Sequence, residues 1–378
     1  MSARRLRIVV ISPLRFPIRR PHAGGLESAV WAEVDGLRRR GHEVTMIAVR
    51  DSDFLGADDI FAMPPLHWDG ASPSDQCYPP SYVDQSLPAL ARALDAIAEH
   101  HDRYDVISNH CLDPLPVRRA ASLGVPMVTT LHTPIDSGFA AAGARSGGTG
   151  SRFLAVSEYT RDIWSSAGIS AQVLPNAVDP RAWPAGPGGD DLVWFGRVVP
   201  EKAPHLAVDV ARRLRRRLVI AGRVGDERYE REVLRPMLGP DVMCVGELDP
   251  VRLADLVGNS AASIATPVWD EPFGLVAPES LMCGTPMVSF AVGGVPEIAR
   301  DSVGMATVPP GDTAAMADHT RRFIARSDED SGFRAAIRAC ALRRFALDVR
   351  LAALEQVLTS LADATMDAAG PLVRELAR

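Results

Sequence analysis

The sequence predicts an α/β protein of two doubly wound parallel sheets facing each other across a cleft. Three observations lead there. Short β-branched runs alternate with helical patterns along the whole chain, which is the signature of parallel-sheet domains. That alternation occurs twice, with the Pro/Gly run Pro184-Ala185-Gly186-Pro187-Gly188-Gly189-Asp190 between the two series. The length of 378 residues leaves room for more than one domain of ordinary size.

The first series offers strands over 6–11, 43–49, 105–109, 126–131, 152–156 and 172–174, with helices over 26–40, 87–100 and 158–167 between them. The second offers strands over 192–195, 217–221, 242–245, 263–265, 287–290 and 305–308. A helix is expected over 274–284, closed by Gly284 at its C-terminal end. These elements divide the chain into a first domain over 1–183, a linker over 184–191, a second domain over 192–347 and a helical segment over 348–378 that could pack on either domain. Two irregular segments, 51–86 and 133–151, follow strands of the first series and are placed to reach the cleft.

Composition narrows the function. A net charge of −6 gives no basic field for nucleic acid. Hydrophobic content of 47% with 23% charged residues is ordinary for a soluble protein. No apolar run is long enough to span a membrane, and the apolar stretch after Arg4-Arg5 is too short for a signal sequence. The odd count of five cysteines, Cys77, Cys111, Cys244, Cys283 and Cys340, includes no Cys-x-x-Cys pair and reads as reduced thiols. A cytoplasmic protein is expected. The basic cluster 212–217 reads as the exposed end of a helix and leaves peripheral membrane contact open.

Chemistry concentrates in two places. Glu271-Pro272-Phe273-Gly274-Leu275-Val276-Ala277-Pro278-Glu279 sets two carboxylates eight positions apart around a Phe-Gly turn. At a helix N-terminus such a turn would offer backbone N–H groups to an anionic oxygen. Glu279, expected in the second helical turn among Leu275, Val276, Leu281 and Met282, needs a hydrogen-bond donor to offset its burial, and sugar or ribose hydroxyls would serve. The second place is Phe195-Gly196-Arg197-Val198-Val199-Pro200-Glu201-Lys202. Lys202 is the one lysine among 41 Lys and Arg residues, so a compact point charge is used here and nowhere else. With Arg197 it suggests a pair gripping a diphosphate. Asp51-Ser52-Asp53 and Asp328-Glu329-Asp330 mimic a metal motif but read as solvated loop carboxylates. No Gly-x-Gly-x-x-Gly follows the first strand, which argues against a dinucleotide oxidoreductase.

With three further motifs, the chain resembles the retaining glycosyltransferases of family 4, whose GT-B fold sets two Rossmann-like doubly wound domains face to face. Glu271 to Glu279 looks like that family's glutamate pair, and Phe195-Gly196-Arg197 with Lys202 like its diphosphate clamp. Val173 to Asp179 looks like the segment leading into the interdomain linker, Thr129-Thr130-Leu131-His132 like the histidine ending an N-domain strand, and Gly24-Gly25-Leu26-Glu27 like the glycine loop after the first strand. The resemblance covers nearly the whole chain. It implies a catalytic set of Glu271, His132, Arg197 and Lys202. Arg197 and Lys202 would bind the donor diphosphate, Glu279 the ribose hydroxyls and Glu271 the hydroxyls of the transferred sugar. Phe273, Gly274, Leu275 and Val276 would line the donor, His132 would lie on the sugar's other side, and Gly24 and Gly25 would let backbone approach the phosphates or acceptor. Two departures, Ala203 where the family often has Gly and Ser280 where Ala is usual, bear on local loop shape.

The function expected is transfer of a hexose-type sugar from a nucleoside diphosphate donor (UDP-, GDP-, ADP- or TDP-linked) to a small-molecule or glycan acceptor held by the N-terminal domain. No metal and no cofactor is expected. A cofactor-free GT-B phosphorylase and a non-catalytic nucleotide-sugar-binding protein are the alternatives. His110 and Asn109, at a strand end, are candidates for the acceptor side.

Overall fold

The computed structural model of the protein describes residues 4–56, 59–68, 78–145 and 150–368. Parts of the two irregular segments, Cys77 among them, lie outside the described residues, as does the end of the C-terminal segment.

Seven parallel strands form the first sheet: β1 (Arg7–Ile11), β2 (Glu43–Val49), β3 (Ala62–Met63), β4 (Val106–Asn109), β5 (Met127–Leu131), β6 (Ser151–Ala155) and β7 (Gln172–Val173). Their order is β3-β2-β1-β4-β5-β6-β7. Six more form the second: β8 (Leu192–Phe195), β9 (Leu218–Ala221), β10 (Val242–Gly246), β11 (Ala262–Ala265), β12 (Met287–Phe290) and β13 (Met305–Val308), in the order β10-β9-β8-β11-β12-β13. The two-residue β3 is too short to leave a pattern and was not expected. Both sheets are buried on both faces. Ile8 and Val10 of β1 pack into one apolar layer and Val9 and Ile11 into another, as side-chain alternation dictates.

In each sheet the order reverses beside the first strand, between β1 and β4 and between β8 and β11. Loops at the carboxyl ends of such strands part there and leave a crevice. The glycine loop follows β1, Arg197 follows β8, and Glu271 follows β11, so the topology alone sends these residues to a crevice.

The chain crosses between sheets twice, at neighbouring points. Val178 bridges Ala346 in parallel; its N–H donates to the Phe345 carbonyl at 2.9 Å, and the Leu347 N–H donates to the Val178 carbonyl at 2.9 Å. The Pro/Gly run is not a free tether. Gly186 N–H donates to the Cys283 carbonyl and Gly188 N–H to the Gly258 carbonyl, each at 3.0 Å. A β-carbon on Gly186 would lie 2.2 Å from the Gly258 carbonyl oxygen, so only glycine fits there.

The return crossing leads into the C-terminal helix Leu347–Ala368, which packs on the first sheet and not on the second. Leu351, Leu354 and Leu358 are fully buried against β1 and the helix Gly25–Arg39. Leu351 Cδ1 occupies the space a side chain at Gly36 would need. Leu351→Ala is expected to cost about 2–5 kcal/mol, read as a lower denaturant midpoint. An unchanged midpoint would mean that this helix does not hold the outer layer of the first sheet.

Candidate functional site

A cleft of about 380 Å³ lies between the two sheets, and Gly24, Gly25, His132, Arg197, Lys202, Glu271, Phe273, Gly274, Leu275, Val276 and Glu279 all line it. The two halves come close at its rim. A β-carbon on Gly25 would sit 3.2 Å from Leu275 Cδ1, so a larger residue in the glycine loop would press on the opposite wall.

The loops after β8 and β11 are stitched together through Thr266. Its hydroxyl is placed to donate to the carbonyls of Lys202 at 3.0 Å and Ala203 at 2.8 Å, and it accepts from Trp194 Nε1 at 3.1 Å. Val268 N–H donates to the Glu201 carbonyl at 2.8 Å. This stitching brings the Lys202 ammonium onto the Glu271 carboxylate, where Trp269 Nε1–H adds a second donor at 3.0 Å. The ammonium also lies 5.1 Å from the centre of the Trp269 ring, within cation–π reach. Arg197 leaves β8 after Gly196, whose φ of +148° suits glycine, and faces Glu201 at 3.7 Å. The cation pair is thus half-buried and partnered by carboxylates before any ligand arrives. Glu271 is in turn located by backbone: Gly294 N–H donates to its carbonyl at 2.8 Å, and a β-carbon on Gly293 would lie 2.0 Å from that oxygen.

The helix after the Phe-Gly turn is shorter than expected. It spans Val276–Met282, with Leu275 as its N-cap, because Gly274 adopts φ +92° and keeps the turn out of the helix. Glu279 therefore falls in the first turn, not the second. Its carboxyl has no hydrogen-bond partner among the described residues, and burial pushes it up to about 8. Gly284 closes the helix at φ +73° as expected. Both departures from the family pattern are absorbed locally. Ser280 donates to Ser263 Oγ at 2.7 Å inside the core. Ala203 adopts the left-handed φ of +48°, which costs a residue with a β-carbon about 1–2 kcal/mol.

On the opposite wall, His132 follows β5 and is the outer member of a buried chain. Its Nε2 meets His110 Nδ1 at 2.9 Å, and His110 Nε2 meets Glu33 Oε1 at 2.9 Å. Burial, then His110 and Arg350 beside it, hold His132 well below the usual imidazole range, so the ring is neutral. His110 and Asn109 do not line the cleft. Both are buried, and Asn109 is used internally by Thr129 at 3.1 Å and the Cys111 N–H at 3.1 Å. Asp53 accepts from Trp31 Nε1 at 2.8 Å. Among the described residues no group of three or more His, Cys, Asp or Glu side chains is placed to hold a metal, and no helix is long and apolar enough to cross a membrane.

Sequence reasoning missed Trp269 and Arg15 and named Asn176 and the buried Glu27 only as members of longer motifs; all four line the cleft. It also missed Glu297, whose carboxylate accepts the N–H groups of Glu158 at 2.7 Å and Tyr159 at 2.6 Å and so ties the two halves together. Ser157 adds a bond to the Pro272 carbonyl at 2.6 Å. Trp269, two residues before Glu271, and Glu27 and Asn176, inside longer motifs, carried a local signal; Arg15 and Glu297 carried none.

Residues 23–182 match the family model described as Glycosyltransferase Family 4, and residues 179–339 match Glycosyl transferases group 1. The chain is 30% identical to a D-inositol 3-phosphate glycosyltransferase of Frankia alni, over 64% of this chain and 72% of the relative. It is 26% identical to one from Kineococcus radiotolerans, over 89% and 91%. Among solved structures, an Anabaena protein, HepE, in complex with UDP-glucose superposes with a TM-score of 0.70 at 18% identity, over 94% of this chain and all of that one. With two facing parallel-sheet domains and these matches along nearly its whole length, the chain belongs to glycosyltransferase family 4 and has the GT-B fold.

Proposed function

We propose that this glycosyltransferase is a retaining enzyme that moves a hexose-type sugar from a nucleoside diphosphate to an acceptor hydroxyl held by the N-terminal half. One observation carries this reading. A half-buried carboxyl without a hydrogen-bond partner among the described residues, Glu279, shares a cleft with two cations and a second carboxylate. A ligand with vicinal hydroxyls and a diphosphate complements all four groups at once.

In this reading Arg197 and Lys202 hold the diphosphate and stabilise the charge that builds on it as the bond to the sugar breaks. Lys202 comes to the diphosphate already oriented by Glu271 and Trp269. Glu271, freed in part from the ammonium, takes sugar hydroxyls. The C1–O bond to phosphate breaks, the acceptor oxygen bonds C1 on the same face, and the acceptor proton passes to the departing phosphate oxygen. Lys202→Ala or Glu271→Ala is expected to lower turnover by about one to two decades, since each removes a charge-assisted bond worth about 1.5–3 kcal/mol. Full activity in both variants would reject the assignment.

Donor choice is open to a melting screen against UDP-, GDP-, ADP- and TDP-glucose, because a ligand that binds only the folded state raises the transition. D-inositol 3-phosphate is the first acceptor to test, following the names of the relatives in Frankia and Kineococcus. No shift with any of the four donors would remove the support for a nucleotide-sugar site.

Glu279 gives a pH signature. Its carboxyl, raised to about 8, is protonated in the empty cleft at pH 7. Ribose hydroxyls that donate to it favour the ionised form, so binding a nucleotide sugar releases a proton. Calorimetry at pH 7 in buffers of different ionisation enthalpy is expected to show that release in the wild type and to lose it in Glu279→Gln. Equal proton release by the two proteins would exclude Glu279 from the ribose contact.

A further inference from the structure

We propose that Glu33 and His110 are positioning residues that hold His132 in the tautomer with its hydrogen on Nε2, so that Nδ1 faces the cleft as a hydrogen-bond acceptor. The network that does so is closed. Glu33 lies on the helix Gly25–Arg39, Ser108 and His110 at the end of β4, His132 after β5, and Arg350 on the C-terminal helix. Glu33, Ser108, His110 and Arg350 are all buried.

The proton positions follow from donors and acceptors. Burial raises the Glu33 carboxyl, but the hydrogen bonds from His110 and Ser108 and the charge of Arg350 outweigh it and hold it low. Glu33 is therefore ionised and only accepts. It takes the Ser108 hydroxyl at 2.8 Å and His110 Nε2 at 2.9 Å on one oxygen, and Arg350 at 3.4 Å on the other. His110 must carry a hydrogen on Nε2. One proton then sits between His110 Nδ1 and His132 Nε2, which are 2.9 Å apart. Electroneutrality decides whose it is. Arg350, anchored by its bonds to the carbonyls of Leu174 and Pro175 at 2.7 Å each, already balances Glu33. A further charge on the histidine pair would leave the buried cluster with a net charge, which is costly. The neutral pair has His132 Nε2–H donating to His110 Nδ1. The other ring nitrogen of His132, which has no partner among the described residues, is left as an acceptor at the cleft wall.

The same network reverses with one proton. If His110 gains a hydrogen on Nδ1, it donates to His132 Nε2, and the hydrogen of His132 must move to Nδ1. The cleft then meets a donor where it met an acceptor. A sugar or acceptor hydroxyl bound there would turn over accordingly, so the inference rests on the transferase reading for its consequence but not for its geometry.

Nitrogen-15 spectra of the histidine rings test it on the unliganded protein. At neutral pH His132 is expected to show a protonated Nε2 and an unprotonated Nδ1. Glu33→Gln, whose carboxamide can donate to His110 Nε2, is expected to shift His132 toward the Nδ1–H form. A wild-type spectrum with Nδ1–H at neutral pH would overturn the proposal even if the variant does not fold. So would a folded Glu33→Gln protein that melts lower yet keeps the wild-type tautomer, since Glu33 would then be merely structural. Because no substrate is present, either failure leaves the transferase reading standing. Expected tautomers with no transfer from any donor would sink that reading alone.

Discussion

The contact between Lys202 and Glu271 is the constraint around which the rest of the site is arranged. A lone ammonium on a half-buried wall needs a countercharge, and Glu271 with Trp269 supplies both the charge and a fixed direction. The two residues arrive from different loops, after β8 and after β11, so the contact exists only because Thr266 and Val268 lace those loops together. The glycines at 293 and 294 close on the backbone of Glu271 from the third side. The pair is therefore preorganised. In the proposed reading the same arrangement sets a cost, because a diphosphate would have to compete with Glu271 for the cation.

Much of the fold was legible because parallel strands and their helices follow local patterns. The strands β2, β8, β12 and β13 have the expected limits, and the other expected strands shift by only a residue or two. The sheet order then does what no single motif does: it sends Gly24, Arg197 and Glu271 to switch points, since each follows a strand beside a reversal. The start of the helix near Glu279 was misplaced because hydrophobic pattern does not report the left-handed turn at Gly274. The histidine chain was only half legible. His132 and His110 mark strand ends, but Glu33 and Arg350 are separated from them by long stretches of sequence, and each looks like an ordinary helix residue. The destination of the C-terminal helix was undecidable for the same reason. Its apolar face fits any sheet, and only the return crossing beside Val178 fixes which one it meets.

That return crossing couples the two walls of the cleft. The C-terminal helix leaves the second half, docks on the first sheet and delivers Arg350 to Glu33, two hydrogen bonds away from His132. Across the gap, Glu297 and Ser157 fasten the helix Glu158–Ser166 to the segment that carries Glu271. Both walls are thus referred to the same pair of crossings. A change in the angle between the halves would move His132 and Glu271 relative to each other without disturbing either wall internally.

The most direct measurement is a crystal structure of the protein with a nucleotide sugar bound. The account predicts the diphosphate within hydrogen-bond reach of Arg197 and Lys202, the ribose hydroxyls on Glu279, and the sugar between Glu271 and His132. A nucleotide sugar seated elsewhere, with Lys202 still closed on Glu271 and Glu279 still without a partner, would contradict it.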